Sequence, residues 1–478
     1  MSLTGQLSRN TILQIAGKVV STVIGLMVIG LLTRSLGTDR FGHYTTALAF
    51  VQVFGVLVDM GLYIVLVKKL AEEPDRRDAW ASTAFTLRLY TALGFLVLAP
   101  LTVLFTNYPG DVKTAVAIAT LATFAVTMNQ VLVGVFQWSL RMDRVAIAEI
   151  IGRVVLLSGT LVAVANKTSV TGVMITVALG SLVNAAVSFW FSRSFVRIRL
   201  HLEREMVRTI FREGWPVALS IAFNLVYFKA DTLILSAVRP ASEVGLYGSA
   251  YKVLEVLATI PAMVAGLLMP LLAAAYARQE QDRLRDILQR AVDTVSLLAI
   301  PLAIGTGFVA QQVMLLVGGP DYVGAANALT LLMIATAAIF YGNLFANTVV
   351  AINAQRRMLW GYAGVAVASL AGYLLTIPRW GMAGAATMTV VSEVGVTLVA
   401  LYFIYRATRV RLRPTHMLKV VGACIPLVIA LALTPNLALV WRLGLAVLAY
   451  AIGLTLFRIF PVDLLRQTFS RFSYARRD

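Results

Sequence analysis

The chain has 478 residues, of which 59% are hydrophobic and 13% are charged, and its formal net charge is +18. Soluble domains are about 45–50% apolar and about 25% charged, so this composition excludes a soluble fold, a fibrous repeat and a disordered chain. The single cysteine, Cys424, excludes a disulfide framework, and three scattered histidines argue against a histidine metal site. At about 20 residues per crossing, the apolar content suffices for about fourteen transmembrane helices. We predict an all-α integral membrane protein.

Apolar runs bounded by charged residues define the predicted spans. In chain order they cover residues 12–33, 43–66, 83–105, 113–137, 146–165, 170–191, 215–238, 246–274, 292–317, 327–352, 359–377, 381–405, 418–434 and 440–458.

The basic residues predict the orientation of these spans. Of the 41 Lys and Arg residues, 30 are assigned to one set of alternate loops, with Lys18 counted beside the N-terminal segment, seven to the other set, and four others lie within spans. Because cytoplasmic loops are enriched in Lys and Arg, we predict that both termini are cytoplasmic and that the number of spans is even. The +18 charge is then an orientation signal in a cell-membrane protein, and we expect no nucleic-acid partner.

The loops on either side differ in content. The predicted outer loops are short, which argues against an enzyme that works on the outer face. On the cytoplasmic side, residues 203–213 and 464–472 carry apolar residues at helical spacing beside arginines. We expect both segments to be interfacial helices lying on anionic membrane lipids, with binding of a partner protein as the alternative.

An internal repeat indicates duplication. The heptapeptide at 41–47 (FGHYTTA) opens the second predicted span, and a related one at 244–250 (VGLYGSA) opens the eighth. Six spans separate the copies, so both halves would cross in the same direction, as in transporters built from parallel repeats. We predict a six-helix N-terminal lobe (1–200), a six-helix C-terminal lobe (201–410), and two extra helices with a cytoplasmic amphipathic tail (411–478). A transport path would run between the lobes.

Three stretches of the sequence resemble polysaccharide flippases of the Wzx type. They are residues 34–44 with 59–62, residues 231–250, and residues 377–387 with Glu393. The superfamily of these flippases also holds the lipid II flippases and the multidrug exporters of the MATE type. The resemblance implies a central cavity lined by spans one, two, seven and eight.

Ionisable groups inside spans cost several kcal/mol unless they are paired or hydrated, so each is a candidate functional residue. The candidates within the spans are Lys18, Asp59, Arg88, Glu149, Arg153, Lys229, Asp231, Lys252, Glu255 and Glu393. Glu149 and Arg153 are four residues apart and could pair along one helix. Asp59 and Arg88 lie at similar depth and could pair between helices.

Polar residues at helical spacing mark faces that point toward something polar. On the first span these are Gln14, Lys18, Ser21 and Gly25; on the seventh they are Ser220, Asn224, Tyr227 and Asp231; on the tenth they are Asn343 and Asn347. Lys229 points away from Asp231, and Lys252 shares a face with Glu255.

These patterns give a set of candidate site residues. The candidate substrate-binding cations are Lys18, Lys252, Arg88, Arg153 and Lys229, with local ion pairing as the alternative for the two lysines. Candidate ion-coupling or polar cavity residues are Asp59, Asp231, Glu255, Glu393, Gln14, Asn224, Asn343 and Asn347. Glu393 could instead be hydrogen-bonded to a neighbouring helix.

The sequence predicts transport without ATP hydrolysis. It contains no glycine-rich phosphate loop, no nucleophile–base constellation and no cluster of metal ligands, so we expect neither an enzyme nor a cofactor. The resemblance implies a flippase that moves a polyprenyl-pyrophosphate-linked oligosaccharide from the inner to the outer leaflet for cell-surface polysaccharide synthesis, by alternating access. Glycosyltransferases and a polysaccharide polymerase are the expected protein partners. A multidrug or small-molecule cation antiporter is the first alternative, and a membrane enzyme of polysaccharide assembly is the second.

Overall fold

The computed structural model describes the backbone of residues 3–59 and 61–459, and side chains from residue 17 onward in those ranges except at 217, 227, 260, 262–264 and 267. The helices in chain order are α1 (Leu3–Asp59), α2 (Leu62–Glu72), α3 (Arg77–Leu96), α4 (Leu98–Leu104), α5 (Gly110–Trp138), α6 (Met142–Ala165), α7 (Val170–Ser192), α8 (Arg204–Val238), α9 (Ala241–Ala277), α10 (Gln281–Gly318), α11 (Ala326–Ala351), α12 (Gln355–Thr408), α13 (Thr415–Leu433) and α14 (Leu439–Leu456). Within these ranges, 11 helices are long and apolar enough to cross a membrane. The predicted all-α membrane fold is confirmed.

Two helices are much longer than a bilayer requires. Helix α1 has 57 residues and α12 has 54, whereas about 20 residues span the hydrocarbon core. Gly37 interrupts α1 with φ 69° and ψ 177°, and Gly381 interrupts α12 with φ 56° and ψ −134°. Glycine adopts such angles without the steric cost that a Cβ imposes. Each long helix therefore divides into two segments, and each segment is long enough to cross.

Two predicted spans are each built from two helices. The span predicted at 43–66 contains the end of α1 at Asp59 and the start of α2 at Leu62. Between them Gly61 takes the left-handed conformation, with φ 67°, which cannot continue a helix. The span predicted at 83–105 consists of α3 and α4. Hydropathy does not reveal these breaks because the residues around them remain apolar.

The chain divides into two compact units. The first unit contains Met1–Ser249, Val317–Tyr322 and Tyr362–Ala385, and the second contains Ala250–Leu316, Val323–Gly361 and Ala386–Asp478. The lobe boundaries at 200 and 410 stay predictions.

The segment at 203–213 is not a separate interfacial helix. It forms the first part of α8, which continues to Val238. Met206 and Ile210 are each 1% exposed and pack in a cluster with Leu66, Leu70 and Trp80 of α2 and α3. The expectation that this apolar face lies on lipid was wrong for Met206 and Ile210, which protein covers, whereas Phe211 is 44% exposed. The other predicted interfacial segment, 464–472, lies outside the described residues.

The connection between α7 and α8 is held against α3 by side-chain hydrogen bonds. The backbone N–H groups of Arg197, Arg199 and His201 donate to Asp78, Ser82 and Thr86, at 2.9, 3.0 and 3.1 Å. The three acceptors are spaced four residues apart on α3, so they form one row along its surface. These side chains satisfy backbone N–H groups in the α7–α8 connection, a segment that is neither helix nor strand.

The C-terminal helix pair is tied to α10 inside the second unit. Arg442 of α14 is 5% exposed and donates to the carbonyl of Leu431 at 2.8 Å and to the side-chain oxygen of Gln312 at 2.9 Å. Gln312, on α10, donates in turn to the carbonyl of Leu437 at 3.0 Å. A Cβ on Gly453 would strike the Ala423 carbonyl, so α13 and α14 are in close contact.

We expect Arg442→Ala to destabilise this pair. Truncation removes the donor from the buried Leu431 carbonyl, at a cost of about 1–3 kcal/mol for an unsatisfied buried group, and from the partly buried Gln312 side chain. Thermal unfolding of the detergent-purified protein should therefore shift to lower temperature. Arg458→Ala, at an exposed arginine after the same helix, is the matched control and should leave the transition unchanged. Equal transitions for both variants would contradict the assigned role.

Candidate functional site

The polar stripe predicted on the first span faces α6. The Lys18 ammonium lies 3.2 Å from a carboxylate oxygen of Glu149, and the Ser21 hydroxyl donates to the same oxygen at 2.7 Å. Farther along α1, the Arg153 guanidinium lies 3.8 Å from the position that a Cβ on Gly25 would occupy. The stripe thus marks the α1–α6 contact.

Glu149 pairs between helices, whereas the sequence predicted a pair with Arg153 along one helix. The helices approach closely here, since a Cβ on Gly17 would lie only 2.5 Å from the Cβ of Ala146. This contact brings Lys18 within reach of Glu149. The Lys18 side chain nevertheless stays 40% exposed and that of Glu149 stays 24% exposed.

The interhelical ion pair predicted between Asp59 and Arg88 is present. Arg88 is fully buried and lies 2.7 Å from Asp59, and it also donates to the Val58 carbonyl at 2.8 Å. Helix α1 ends at Asp59, so its last carbonyls have no partner within the helix. Arg88 caps this helix end, and in this conformation its guanidinium is not accessible to a substrate.

Asp231 is enclosed by protein and does not open onto a cavity. It is 0% exposed, accepts a hydrogen bond from the Tyr247 hydroxyl at 2.5 Å, and is also bonded by the backbone N–H and hydroxyl of Thr232. The cavity-facing orientation predicted from the stripe on the seventh span was wrong, because Tyr247 of α9 covers this carboxylate. Asn224 on the same helix is exposed, and Lys229 is half-buried.

The remaining predicted residues lie in the second unit or outside the described side chains. Lys252 and Glu255 form an ion pair at 2.7 Å and are each about one-quarter exposed. The Asn347 side chain donates to the Asn343 carbonyl at 2.9 Å, and Glu393 is 5% exposed. The side chains of Gln14 and Tyr227 lie outside the described set.

The two copies of the repeated heptapeptide pack against each other. A Cβ on Gly42 would strike the carbonyl of Ala241, and a Cβ on Gly245 would strike the carbonyl of Thr38. Each of these positions also lies 3.1 Å from the backbone nitrogen of the other glycine. The contact is reciprocal, as expected for two halves related by duplication. Only glycine permits so close a crossing.

The break in α12 is satisfied from the α8–α9 turn. Arg239 donates to the carbonyls of Ile377 and Pro378, at 3.4 and 3.1 Å. Glu243 accepts from the backbone N–H of Met382 at 2.7 Å and lies 3.9 Å from Arg239. The Arg239–Glu243 ion pair thus binds backbone groups on both sides of the interruption at Gly381. Sequence reasoning missed it, although a glycine between two apolar runs marked the break.

Within the described residues, no group of three or more His, Cys, Asp or Glu side chains could hold a metal ion. The fold and the ion pairs inside its spans define a multi-pass helical membrane protein.

The chain belongs to the family described as polysaccharide biosynthesis protein, whose sequence profile matches residues 7–276. This match covers more than half of the chain. The resemblance to Wzx-type polysaccharide flippases is confirmed.

Two curated relatives align with most of the chain. It is 22% identical over 397 residues to the "Putative O-antigen transporter" of Shigella flexneri, covering 79% of this chain and 93% of the relative. It is 23% identical over 314 residues to the "Probable low-salt glycan biosynthesis flippase" of Haloferax volcanii, covering 64% and 65%.

Solved structures share the fold. The lipid II flippase MurJ in an inward closed conformation superposes with a TM-score of 0.78 at 13% identity, covering 95% of this chain and all of that one. An inward-facing multidrug transporter of the MATE family superposes with a TM-score of 0.67 at 16% identity, covering 84% and 98%. At such low identity these likenesses show the architecture alone.

We expect Glu243→Ala to destabilise the protein at the α12 break more than Glu243→Gln does. Alanine leaves the Met382 N–H without its acceptor, at a cost of about 1–3 kcal/mol, whereas glutamine keeps a side-chain oxygen there. Thermal unfolding in detergent measures the difference. Glu280→Ala, at a more exposed ion pair with Arg283, is the control and should have little effect. A larger loss in the control than in Glu243→Ala would refute the role.

Proposed function

We propose that this chain is a flippase. It carries a polyprenyl-pyrophosphate-linked oligosaccharide from the inner to the outer leaflet of the cell membrane, for the synthesis of a cell-surface polysaccharide. The family match supports this function, and so do two relatives whose names are those of an O-antigen transporter and a glycan flippase. Glycosyltransferases would supply the substrate and a polymerase would consume the product.

The Lys18–Glu149 pair is the observation that carries the mechanism. A pyrophosphate needs cations inside the membrane, yet an unpaired ammonium there would be costly in the empty carrier. Glu149 neutralises Lys18 when substrate is absent, and the 40% exposure of Lys18 leaves it open to exchange. A pyrophosphate then displaces the carboxylate and takes the ammonium as a point charge.

Lys252 and Glu255 would repeat this arrangement in the second unit, where they pair at 2.7 Å. In both cases the departing substrate is replaced by the carboxylate, so the lysine is never left alone. A carboxylate released from its lysine becomes a site for H⁺ or Na⁺, which would couple transport to an ion gradient.

The membrane potential would set the direction. Moving about two negative charges outward across an inside-negative potential of ~100 mV gains roughly 4–5 kcal/mol. Alternating access would then need no ATP hydrolysis. This argument assumes cytoplasmic termini, as the distribution of Lys and Arg predicts.

The test is headgroup translocation in proteoliposomes under an imposed potential. We expect the translocation rate of the wild type to rise with an inside-negative potential. Lys18→Ala should lower that rate at least about tenfold, because a charge-assisted contact to phosphate is lost. Lys167→Ala, at an exposed lysine between α6 and α7, is the control. Absence of any potential dependence would remove the electrical part of the proposal.

Glu149→Gln tests whether the substrate displaces the Glu149 carboxylate from Lys18 or whether this ion pair has a purely structural role. Glutamine keeps an acceptor for Ser21 but no longer competes for the ammonium. Since partly exposed pairs are worth about 0.2–1 kcal/mol, the KM for the lipid-linked substrate should fall about two- to fivefold. A structural pair would instead give lower thermal stability with no gain in KM.

The multidrug antiporter is disfavoured by the state of the acidic residues. Antiport of an organic cation requires an accessible carboxylate, and neither Asp59, paired with Arg88, nor Asp231, enclosed beside Tyr247, offers one. The partly exposed Glu149 and Glu255 are each paired with a lysine, which an organic cation would have to displace. We therefore expect Asp231→Asn to leave drug sensitivity of the host cell unchanged, while Lys18→Ala abolishes polysaccharide export. Growth in graded drug concentrations and surface polysaccharide content are the two measurements. Loss of drug resistance in Asp231→Asn with normal polysaccharide would reverse the assignment.

A further inference from the structure

A cavity of about 400 Å³ lies in the first unit, at the end that the charge pattern assigns to the outside. Its walls come from the second segment of α1, the α4–α5 connection and the α8–α9 turn. Small-ligand pockets commonly measure about 300–1,000 Å³, so the cavity is large enough for a ligand.

The walls carry both hydrogen-bond donors and hydrogen-bond acceptors. Thr46, Asn107, Tyr108 and Ser236 line the cavity, and the Tyr108 and Ser236 hydroxyls lie 2.8 Å apart. Hydroxyl and amide groups donate as well as accept, which matches a ligand whose own groups are hydroxyls. Asn107 is exposed, so the cavity is accessible from the surface.

The cavity wall also holds two basic residues, His43 and Arg239, and both already contact protein oxygens. His43 Nδ1 lies 3.3 Å from a carboxylate oxygen of Asp111. The Arg239 guanidinium donates to the carbonyls at the α12 break and lies beside Glu243. Releasing Arg239 to a pyrophosphate would leave two carbonyls at the α12 break unsatisfied, whereas Lys18 has only carboxylate contacts to give up. The described lining residues include no Asp or Glu that could hold an organic cation. The chemistry therefore favours a neutral, polyhydroxylated ligand over either ion.

The cavity also has an apolar side. The Tyr108 ring is held edge-on against Phe50, with ring centroids 6.4 Å apart and an interplanar angle of 87°. Pro109, Val112 and Val244 extend this apolar surface. A sugar ring presents C–H faces between its hydroxyls, so a wall with an aromatic ring and small apolar groups complements it.

We propose that this cavity, the outer sugar pocket, binds a neutral sugar unit of the oligosaccharide on the outer side of the membrane. The inference rests on the proposed function and adds to it a site that holds the sugar rather than the pyrophosphate. Binding there retains the glycan after it has crossed, while the lipid pyrophosphate leaves the membrane-embedded cations.

Blocking the pocket tests its place in transport. Ala237 lines it and is exposed, and Ala237→Trp fills its entrance. Ala165→Trp is the matched control, since Ala165 is also exposed at the predicted outer end of a helix and does not line the pocket. In the proteoliposome assay we expect Ala237→Trp to lower translocation several-fold and the control to match the wild type. Unchanged translocation by Ala237→Trp overturns the inference.

Binding of the sugar is measured directly by saturation-transfer NMR on the full-length protein in detergent. The probe is the oligosaccharide released by mild acid from the lipid carrier of the host cells. Asn107→Ala and Tyr108→Phe each remove one hydrogen-bonding group with little risk to the fold and should weaken binding about two- to tenfold. Inorganic pyrophosphate should not displace the oligosaccharide. Wild-type affinity in both variants, or displacement by pyrophosphate, overturns the inference.

The two proposals fail in different ways. If the wild-type protein does not translocate the lipid-linked headgroup, the proposed function is wrong. If it translocates the headgroup while the pocket variants bind and transport as the wild type does, only the outer sugar pocket is wrong.

Discussion

Where a helix stops or breaks, its last carbonyl groups have no partner within the helix, and this constraint must be met by donors from elsewhere in the chain. Three arginines supply donors of this kind. Arg88 binds a carbonyl at the end of α1, Arg442 binds one near the end of α13, and Arg239 binds two at the break in α12. The planar guanidinium suits this task because it offers several donors in a fixed fork. These arginines satisfy one or two of the carbonyl groups where α1 ends, where α12 breaks and where α13 nears its end.

The same constraint separates structural charges from exchangeable ones. Arg88 is fully buried and bonded to both a carbonyl and Asp59, so releasing it would expose two oxygens at once. Lys18 has a compact charge on a flexible chain, remains partly exposed and has Glu149 as its partner. A substrate that brings its own negative charges can replace that one carboxylate. The difference between the two cations lies in how many groups depend on each.

The sequence predicted the parts of the structure that depend on composition along the chain. Long apolar runs located the spans, and the pairing of Asp59 with Arg88 followed from their similar depth. The partner of Glu149 could not be predicted, because it depends on how closely α1 and α6 pack. The enclosure of Asp231 escaped detection for a similar reason: helical periodicity shows which residues share a face but not what covers it. Residues 203–213 had the pattern of a lipid-bound helix, but Met206 and Ile210 of this segment pack against α2 and α3 instead.

The reciprocal crossing at Gly42 and Gly245 has a consequence for how the molecule arose. Each glycine lies against the backbone of the other copy of the same short motif. The predicted duplication would start from a single motif, and the same contact would then form between two identical chains side by side. A six-helix ancestor that dimerised about an axis normal to the membrane would already have possessed this interface, and fusion of its two genes would have preserved it. The crossing is then older than the single chain that now contains it.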